Sequence, residues 1–393
     1  MRAPAVLAGA AAVMALAGCV TERADAPGGS RNPIFDRPIA RPVLGGTDVS
    51  RIVVALSGLG TIPYDGVTLP LISPDGRSAA TQLPPAAPRS LRIGAPGADG
   101  DASSSVAIIE LGPDGVQQEV FDANAPILLG RDADTLGFLV ESPRPDGSRW
   151  IGRASWTGGG ITWIERGPAV HAHAVLGPAG SVLYGERPVG DGRFELVRRD
   201  RDGTKRALRL PGADLVYPLM APDGRHATCL AVRPDSIQIV LIDLSASSDR
   251  SLGRIVRRFD LSGRGSLAGA EQIVAASASG ASAGEALGPM VFHPATKRVV
   301  AVNAARRTLV SLAPNGVAAV GAGGGRALCA TPDGLVLWTP TGQNAGRASR
   351  VLAEDYIPRR TASVDRPYVL LSPLPTSPTD FRVFAMKPAT PDE

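Results

Sequence analysis

Short apolar segments alternate with turns rich in glycine, proline and aspartate along most of the chain. The stretch LPLISPDGRSAATQ, residues 69–82, has apolar residues before a Ser-Pro-Asp-Gly turn and small residues after it. Proline presets φ at the second turn position, aspartate is tolerated at the third, and glycine supplies a positive φ. The stretch therefore predicts a β-hairpin with Asp75 and Gly76 at its tip.

The same turn returns in three further places and, in looser form, at residues 177–180 and 293–296. We assign its aspartates and glycines a structural role as hairpin tips: Asp146, Gly147, Asp223, Gly224, Asp333 and Gly334. Successive tips are about 35 to 75 residues apart, a spacing typical of repeated structural units. The chain is therefore expected to consist of stacked repeats.

A second kind of hairpin, which carries more charge, lies between successive tips. These outer hairpins are predicted at residues 106–121, 155–167, 193–210, 236–261 and 307–321. Each repeat thus predicts four short antiparallel strands. Nearly continuous apolar runs occur at residues 52–56, 237–244 and 298–302. Such runs need cover on both faces of a sheet, which blades arranged radially around an axis would provide while protecting most strand edges.

Composition agrees with an all-β fold. The 393 residues include 46 glycines and 35 prolines, and only 20% of the chain is charged. No helical periodicity with caps at both ends stands out, and the insertion at residues 263–288 has no assignable structure. The net charge of +4, or +3 once residues 1–18 with their single arginine are removed, is too small to indicate nucleic acid binding.

The tips and hairpins resemble the β-propeller repeats of the TolB and WD40-like kind, in which a Ser-Pro-Asp-Gly tip joins the first two strands of each blade. The resemblance spans residues 69–340 and implies one β-propeller domain over residues 48–388. About seven four-stranded blades are expected, with six as the alternative. Residues 368–386 and 51–56 are expected to complete the last blade and close the ring. The N-terminal α/β domain of TolB and the Trp-Asp signature are absent from the sequence.

The N-terminus reads as an export signal. Arg2 precedes an apolar run, residues 3–17, that is too short to span a bilayer. The run ends in Leu-Ala-Gly-Cys at Cys19, which resembles the lipobox of bacterial lipoproteins. The resemblance implies a signal peptide (1–18), lipid on Cys19 as the link to a membrane, and a flexible tether (19–47). It also implies a location in the cell envelope, at the periplasmic face of the outer membrane in a Gram-negative organism.

The two other cysteines could either form a disulfide or remain free. Cys229 and Cys329 could pair in an oxidising compartment, but they are a hundred residues apart and each lies within an apolar strand. Buried free thiols are the more common outcome for such positions. We therefore expect both to be free and buried.

Candidate chemistry centres on His171 and His173. An i, i+2 pair on a strand points both rings to one face, and the strand is expected to be the first of the third blade, which would line the central channel. We take the pair as channel-facing candidates for ligand binding. Because a third ligand is not visible nearby, the sequence predicts no metal centre, and no motif indicates a cofactor. His226 and His293 also lie near tip hairpins.

No catalytic residue can be assigned from the sequence. The Gly-x-Ser-x-Gly match at residues 280–284 lies in an Ala/Ser/Gly run without a following helix, so it does not predict a nucleophile elbow. Arginines at residues 198–201 and 254–258 indicate solvated outer edges, with an anionic partner as the alternative.

These observations favour a binding role over an enzymatic one. The sequence predicts an exported, lipid-anchored β-propeller that acts as a protein-interaction or ligand-binding platform, with a partner of unknown identity. The alternatives are a propeller enzyme, a hydrolase or lyase with its site at the channel mouth, and a structural envelope protein.

Overall fold

Strand pairing organises the chain into consecutive antiparallel groups. A computed structural model describes residues 52–63, 69–83, 105–111, 117–120, 126–221, 223–248, 251–262, 265–275, 290–293, 296, 298–312, 318–321, 326–331, 334–341, 346–351, 356–361, 368–373 and 380–388. Cys19, the predicted tether, Asp333 and the Gly-x-Ser-x-Gly match at 280–284 lie outside these residues.

The described strands form five hydrogen-bonded sheets, because two of these sheets each join more than four strands. The strand Arg149–Ser155 pairs with the strand Ala169–Leu176 at one position, and the strand Gly346–Val351 pairs with the strand Ile52–Pro63. We divide the strands into seven groups that follow one another along the chain, with the N-terminal strand in the last. Group 1 holds β2 (Leu71–Ile72), β3 (Ser78–Leu83), β4 (Ser105–Glu110) and β5 (Gln117–Val120). Group 2 holds β6 (Leu128–Ala133), β7 (Gly137–Pro143), β8 (Arg149–Ser155) and β9 (Ile161–Glu165). Group 3 holds β10 (Ala169–Leu176), β11 (Val182–Pro188), β12 (Glu195–Arg199) and β13 (Lys205–Leu208). Group 4 holds β14 (Asp214–Met220), β15 (His226–Arg233), β16 (Ser236–Asp243) and β17 (Arg254–Ser262).

The last three groups complete the chain and return to its start. Group 5 holds β18 (Met290–His293), β19 (Arg298–Asn303) and β20 (Thr308–Ser311). Group 6 holds β21 (Ala318–Gly321), β22 (Ala327–Thr331), β23 (Gly334–Pro340) and β24 (Gly346–Val351). Group 7 holds β25 (Tyr356–Thr361), β26 (Tyr368–Pro373), β27 (Asp380–Pro388) and β1 (Ile52–Pro63).

The N-terminal strand closes the last group. β1 pairs antiparallel with β27 along its length, with Ser57 opposite Ala385, and it also pairs in parallel with β24 of group 6. This is the pairing of the two chain ends that the sequence predicted. It leaves β1 as the outer strand of group 7.

The hydrophobic core lies between consecutive groups. Separate buried clusters join groups 1 and 2, groups 2 and 3, groups 3 and 4, groups 4 and 5, and groups 5 and 6. Alternate residues of one strand face opposite neighbours, as with Phe138 towards group 1 and Leu139 towards group 3. Groups 2 to 5 are therefore covered on both faces, which explains the continuous apolar runs in β16 and β19.

The first strands of the groups contact one another in sequence. β2 contacts β6, β6 contacts β10, β10 contacts β14, β18 contacts β21, and β21 contacts β25. Face-to-face sheets whose first strands converge, with the chain ends paired in one sheet, define an all-β propeller. The number of blades stays a prediction.

Two details differ from the sequence-based expectation. The tip that contains Asp146 and Gly147 joins β7 to β8, and the tip that ends at Gly334 joins β22 to β23, so both lie between second and third strands. Four of the five predicted outer hairpins pair as expected. The fifth, at residues 307–321, is wrong, because β20 pairs with β19 whereas β21 pairs with β22.

The insertion at residues 263–288 contains a helix that the sequence did not reveal. Helix α1 (Leu267–Ala275) buries Ala270 and Ile273 in the cluster between groups 4 and 5. Cys229 and Cys329 are free and buried, as expected, and burial raises the pKa of the Cys229 thiol to about 12. Within the described part of the chain, no helix is long and apolar enough to cross a bilayer.

Candidate functional site

Three neighbouring first strands share an irregularity of pairing. In β6, β10 and β14 the register with the next strand shifts part-way along, between Leu129 and Ala133, between Ala172 and Val175, and between Val216 and Leu219. His173 and Tyr217 occupy these shifts with φ of 59° and 53°, the left-handed region that non-glycine residues rarely adopt. Bulges of this kind turn a side chain away from the alternation of the strand.

The bulges bring Arg131, His173 and Tyr217 together; we call these three residues the first-strand cluster. The imidazole of His173 lies against the Tyr217 ring, with centroids 3.8 Å apart and planes inclined by 32°. The guanidinium carbon of Arg131 is 5.0 Å from the centre of the same ring. Arg131 belongs to group 2 and Tyr217 to group 4, so they meet across group 3, where the first strands converge.

A buried carboxylate holds the bulge of β10 in place. Glu141 Oε1 accepts a hydrogen bond of 2.9 Å from the backbone N–H of His173, and Glu141 Oε2 forms a 2.9 Å ion pair with Arg149 Nη1. Burial lowers the pKa of His173 well below its usual value, and the charges of Arg131 and Arg149 lower it further. The imidazole of His173 is therefore neutral at neutral pH.

Arg131 is the most unusual member of the cluster. Its Nη1 is buried and has no hydrogen-bond partner among the described residues. Burial lowers the pKa of Arg131, while nearby Tyr217, Glu141 and Asp132 act in the opposite direction. Burial also raises the pKa of the Tyr217 phenol, so that the phenol is protonated. The cluster thus combines one cation with two neutral aromatic rings.

His171 lies in a different environment from His173. Its Nδ1 donates to the Arg149 carbonyl oxygen at 2.8 Å, its Nε2 is 3.2 Å from Glu186 Oε2, and its ring meets the edge of Tyr184. Its ring thus lies on the side of β10 that faces group 2. The two rings therefore do not share one face, because the left-handed backbone at His173 breaks the alternation that the sequence argument assumed.

His171 belongs to a network of charged and polar groups in groups 2 and 3, of which Glu165 is buried and Lys205 is exposed. The Tyr184 hydroxyl donates to Glu165 Oε1 at 2.7 Å, and Lys205 Nζ lies 2.8 Å from Glu165 Oε2. Lys205 Nζ is also 3.4 Å from Glu186 Oε2. These residues come from different strands at irregular sequence spacing, so no motif could have identified the network.

The tip residues form turns stabilised by their own aspartates. Oδ1 of Asp75 accepts the backbone N–H of Arg77, and Oδ1 of Asp146 accepts that of Ser148. Gly76, Gly147, Gly224 and Gly334 have positive φ.

The remaining histidines do not join a common site. His226 Nδ1 lies 2.6 Å from Asp223 Oδ2 within its own tip, and the Nδ1 of His293 is buried without a partner among the described residues. No group of three side chains able to hold a metal occurs in the described ranges.

Fold and site together define the class: a β-propeller with a cationic and aromatic cluster on neighbouring first strands. No protein-family model and no curated protein sequence matches the chain. A puromycin-hydrolyzing peptidase of Mycobacterium tuberculosis is similar in structure, with a TM-score of 0.50 and 15% identity, over 88% of this chain and 54% of that one.

Two further solved structures are similar at lower scores. The Cps50 (Swd1) β-propeller domain of Myceliophteria thermophila has a TM-score of 0.46 and 12% identity, over 86% of this chain and 100% of that one. TolB of Acinetobacter baumannii has a TM-score of 0.34 and 17% identity, over 54% of this chain and 44% of that one. The chain therefore spans about half the length of the peptidase and of this TolB.

Proposed function

We propose that the protein is an exported, lipid-anchored β-propeller that binds a ligand or partner at the first-strand cluster and presents this site at the cell envelope. One observation carries the proposal: three strands from three different groups bulge at matching positions and bring Arg131, His173 and Tyr217 together. Regular strands would pack a propeller centre without such departures.

The backbone at the cluster supports a functional role. A non-glycine residue in the left-handed region costs on the order of 1–3 kcal/mol and persists only where the surrounding structure enforces it. Here the Glu141 carboxylate fixes the N–H of His173, and Arg149 fixes that carboxylate. The cluster is therefore held in its geometry before any ligand arrives, which reduces the entropic cost of binding.

A photo-crosslinking experiment in cells tests the site. A benzophenone side chain replaces Tyr217, which it resembles in shape, and in a control protein it replaces Leu136, which is 70% exposed on the β6–β7 hairpin. We expect a product at position 217 that is absent at position 136 and that disappears when Arg131→Gln is added. Products of equal yield at both positions would contradict the proposed site.

Membrane attachment is tested separately with Cys19→Ser. Several acyl chains hold a protein firmly on a bilayer, whereas a protein without them leaves the membrane. We expect the native chain in the membrane fraction and the Cys19→Ser chain in the soluble fraction. Equal membrane association of the two would refute lipid anchoring at Cys19 and leave the binding site untouched.

An enzyme is the second candidate, because the cluster places three ionisable side chains together. A neutral His173 in contact with Tyr217 has the composition of an acid–base site. If this candidate is correct, the crosslink at position 217 captures a small molecule that is chemically altered by the native chain. His173→Asn, which tolerates the left-handed backbone, would then retain capture and lose the alteration.

A further inference from the structure

The electrostatics of the first-strand cluster define the ligand more narrowly. Arg131 is a largely desolvated cation whose Nη1 has no hydrogen-bond partner within the described part of the chain. A cation withdrawn from water is costly unless an anion or hydrogen bonds compensate it. Another group must therefore compensate the charge of Arg131.

The nearby carboxylates are already engaged by other groups. Glu141 uses one oxygen for the His173 N–H and the other for Arg149. Asp132 uses one oxygen for the backbone N–H of Ala133 and the other for that of Leu176. Both carboxylates raise the pKa of Arg131 through their charge while their oxygens form these other contacts.

The surface beside Arg131 is aromatic. The ring planes of His173 and Tyr217 are inclined by 32° in close contact, and the Phe194 ring centroid lies 6.4 Å from that of His173. As whole residues Arg131, His173 and Tyr217 are each half-buried, although Nη1 of Arg131 is itself buried. A guanidinium beside flat rings matches an anionic group attached to a planar ring, because the first pairs with the anion and the others stack.

We propose that the first-strand cluster binds a small organic anion in which a carboxylate or phosphate is attached to a planar ring, with the anion on Arg131 and the ring against His173 and Tyr217. This rests on the proposed function, since it names the ligand class of the same site. The anion adds a direct partner for Arg131, beyond the charges of Glu141 and Asp132 that already act on it among the described residues.

Calorimetric titration of the purified full-length protein tests the proposal with four probes. Benzoate and phenyl phosphate carry a ring and an anion, acetate carries the anion alone, and benzyl alcohol carries the ring alone. We expect one of the first two to bind at least about tenfold more tightly than acetate and benzyl alcohol, which is the effect of one charge-assisted contact. The tighter of the two distinguishes a carboxylate from a phosphate ligand. Equal affinity for benzoate, phenyl phosphate and benzyl alcohol, or no binding of either ring-bearing anion, would overturn it.

Variants locate the bound anion. Arg131→Gln is expected to weaken binding of the preferred anion roughly tenfold or more, and Arg131→Lys to weaken it less while preserving its decline with added salt. The control Arg201→Gln removes one positive charge from an exposed hairpin tip and should leave affinity unchanged. If Arg131→Gln and Arg201→Gln weaken anion binding equally, binding depends on net charge, and the proposed site at Arg131 is wrong. The comparison of probes needs no variant, so it decides the matter even if Arg131→Gln does not fold.

The outcomes also separate this inference from the proposed function. If a protein partner is crosslinked at position 217 and no probe binds, the proposed role as an interaction platform stands and the proposed anionic ligand is wrong. Probe binding together with a soluble native chain would leave the anion intact and remove the envelope location.

Discussion

Tyr184 and Tyr217 show how two similar residues serve different purposes. Both phenols are largely buried, and burial raises the pKa of each. Only Tyr184 donates a hydrogen bond from its hydroxyl within the described residues, to the buried carboxylate of Glu165. Tyr184 therefore stabilises the fold, whereas the ring of Tyr217 packs against His173 of a neighbouring strand and, in our proposal, against a ligand.

Removal of each hydroxyl is expected to have unequal effects. Tyr184→Phe leaves Glu165 without one of its partners in the interior and should lower the free energy of unfolding by about 1–3 kcal/mol. Tyr217→Phe should change it much less. Urea unfolding followed by circular dichroism gives both values. Equal destabilisation by the two substitutions would contradict this assignment.

Hairpin tips are the elements on which the sequence was most informative. Asp223 illustrates why: its Oδ1 accepts the N–H groups of Arg225 and His226, and Gly224 follows with φ of 62°. Burial acts to raise the pKa of Asp223, but the hydrogen bonds from His226 and Arg225 outweigh it and lower the pKa below 3.8. The folded chain therefore binds a proton at this site less readily than the unfolded chain.

The sign of that shift predicts a pH dependence for Asp223→Asn. The ionised carboxylate stabilises the folded state above pH 3.8, and this stabilisation is lost as pH falls through the lower folded value. The variant should thus have a lower free energy of unfolding than the native chain at pH 7, and this difference should become smaller below pH 3.8. The control Asp191→Asn removes an exposed charge in another turn. A difference in free energy of unfolding between Asp223→Asn and the native chain that stays constant from pH 7 to pH 2.5 would refute the stabilising role of the ionised Asp223 carboxylate.

Other features of the structure could not be predicted from the sequence, for physical reasons. A positive φ can be predicted from the sequence where the residue is glycine, as at Gly76. It cannot be predicted at His173 or Tyr217, because tertiary contacts impose it there. Helix α1 has only nine residues and one visible cap, Ser266, whose Oγ accepts the N–H of Gly269, and packing of Ala270 and Ile273 stabilises it. The candidate His173 was thus found, while Arg131 and Tyr217 needed the structure.

At the scale of the whole molecule, the pairing of β1 with β27 joins the two ends of the ring. Faces of consecutive groups cover each other, so a ring open at group 7 would expose two sheet faces and the edge of β27. We therefore expect closure by the N-terminal strand to stabilise the last group and its neighbours.

An engineered disulfide tests the closure. Ser57 and Ala385 are directly opposite in the β1–β27 pair, so Ser57→Cys with Ala385→Cys should form a bond in a Cys19→Ser chain. The bond should raise the free energy of unfolding by about 2–4 kcal/mol. Ser57→Cys with Ser372→Cys, which are not partners, should form none. Mass spectrometry under oxidising conditions reports both results, and failure of the first pair to link would argue against the closure.

The imidazole of His173 tests the central claim, a cluster assembled from three bulged first strands, most directly. Nitrogen NMR of the full-length protein, with His173→Asn to assign the signal, follows its protonation with pH. Because burial and the charges of Arg131 and Arg149 lower its pKa, the ring should remain neutral at pH 6, and its signal should move when Arg131→Gln is introduced. An imidazole that titrates near the ordinary value of 6.5 and ignores Arg131→Gln would contradict the cluster.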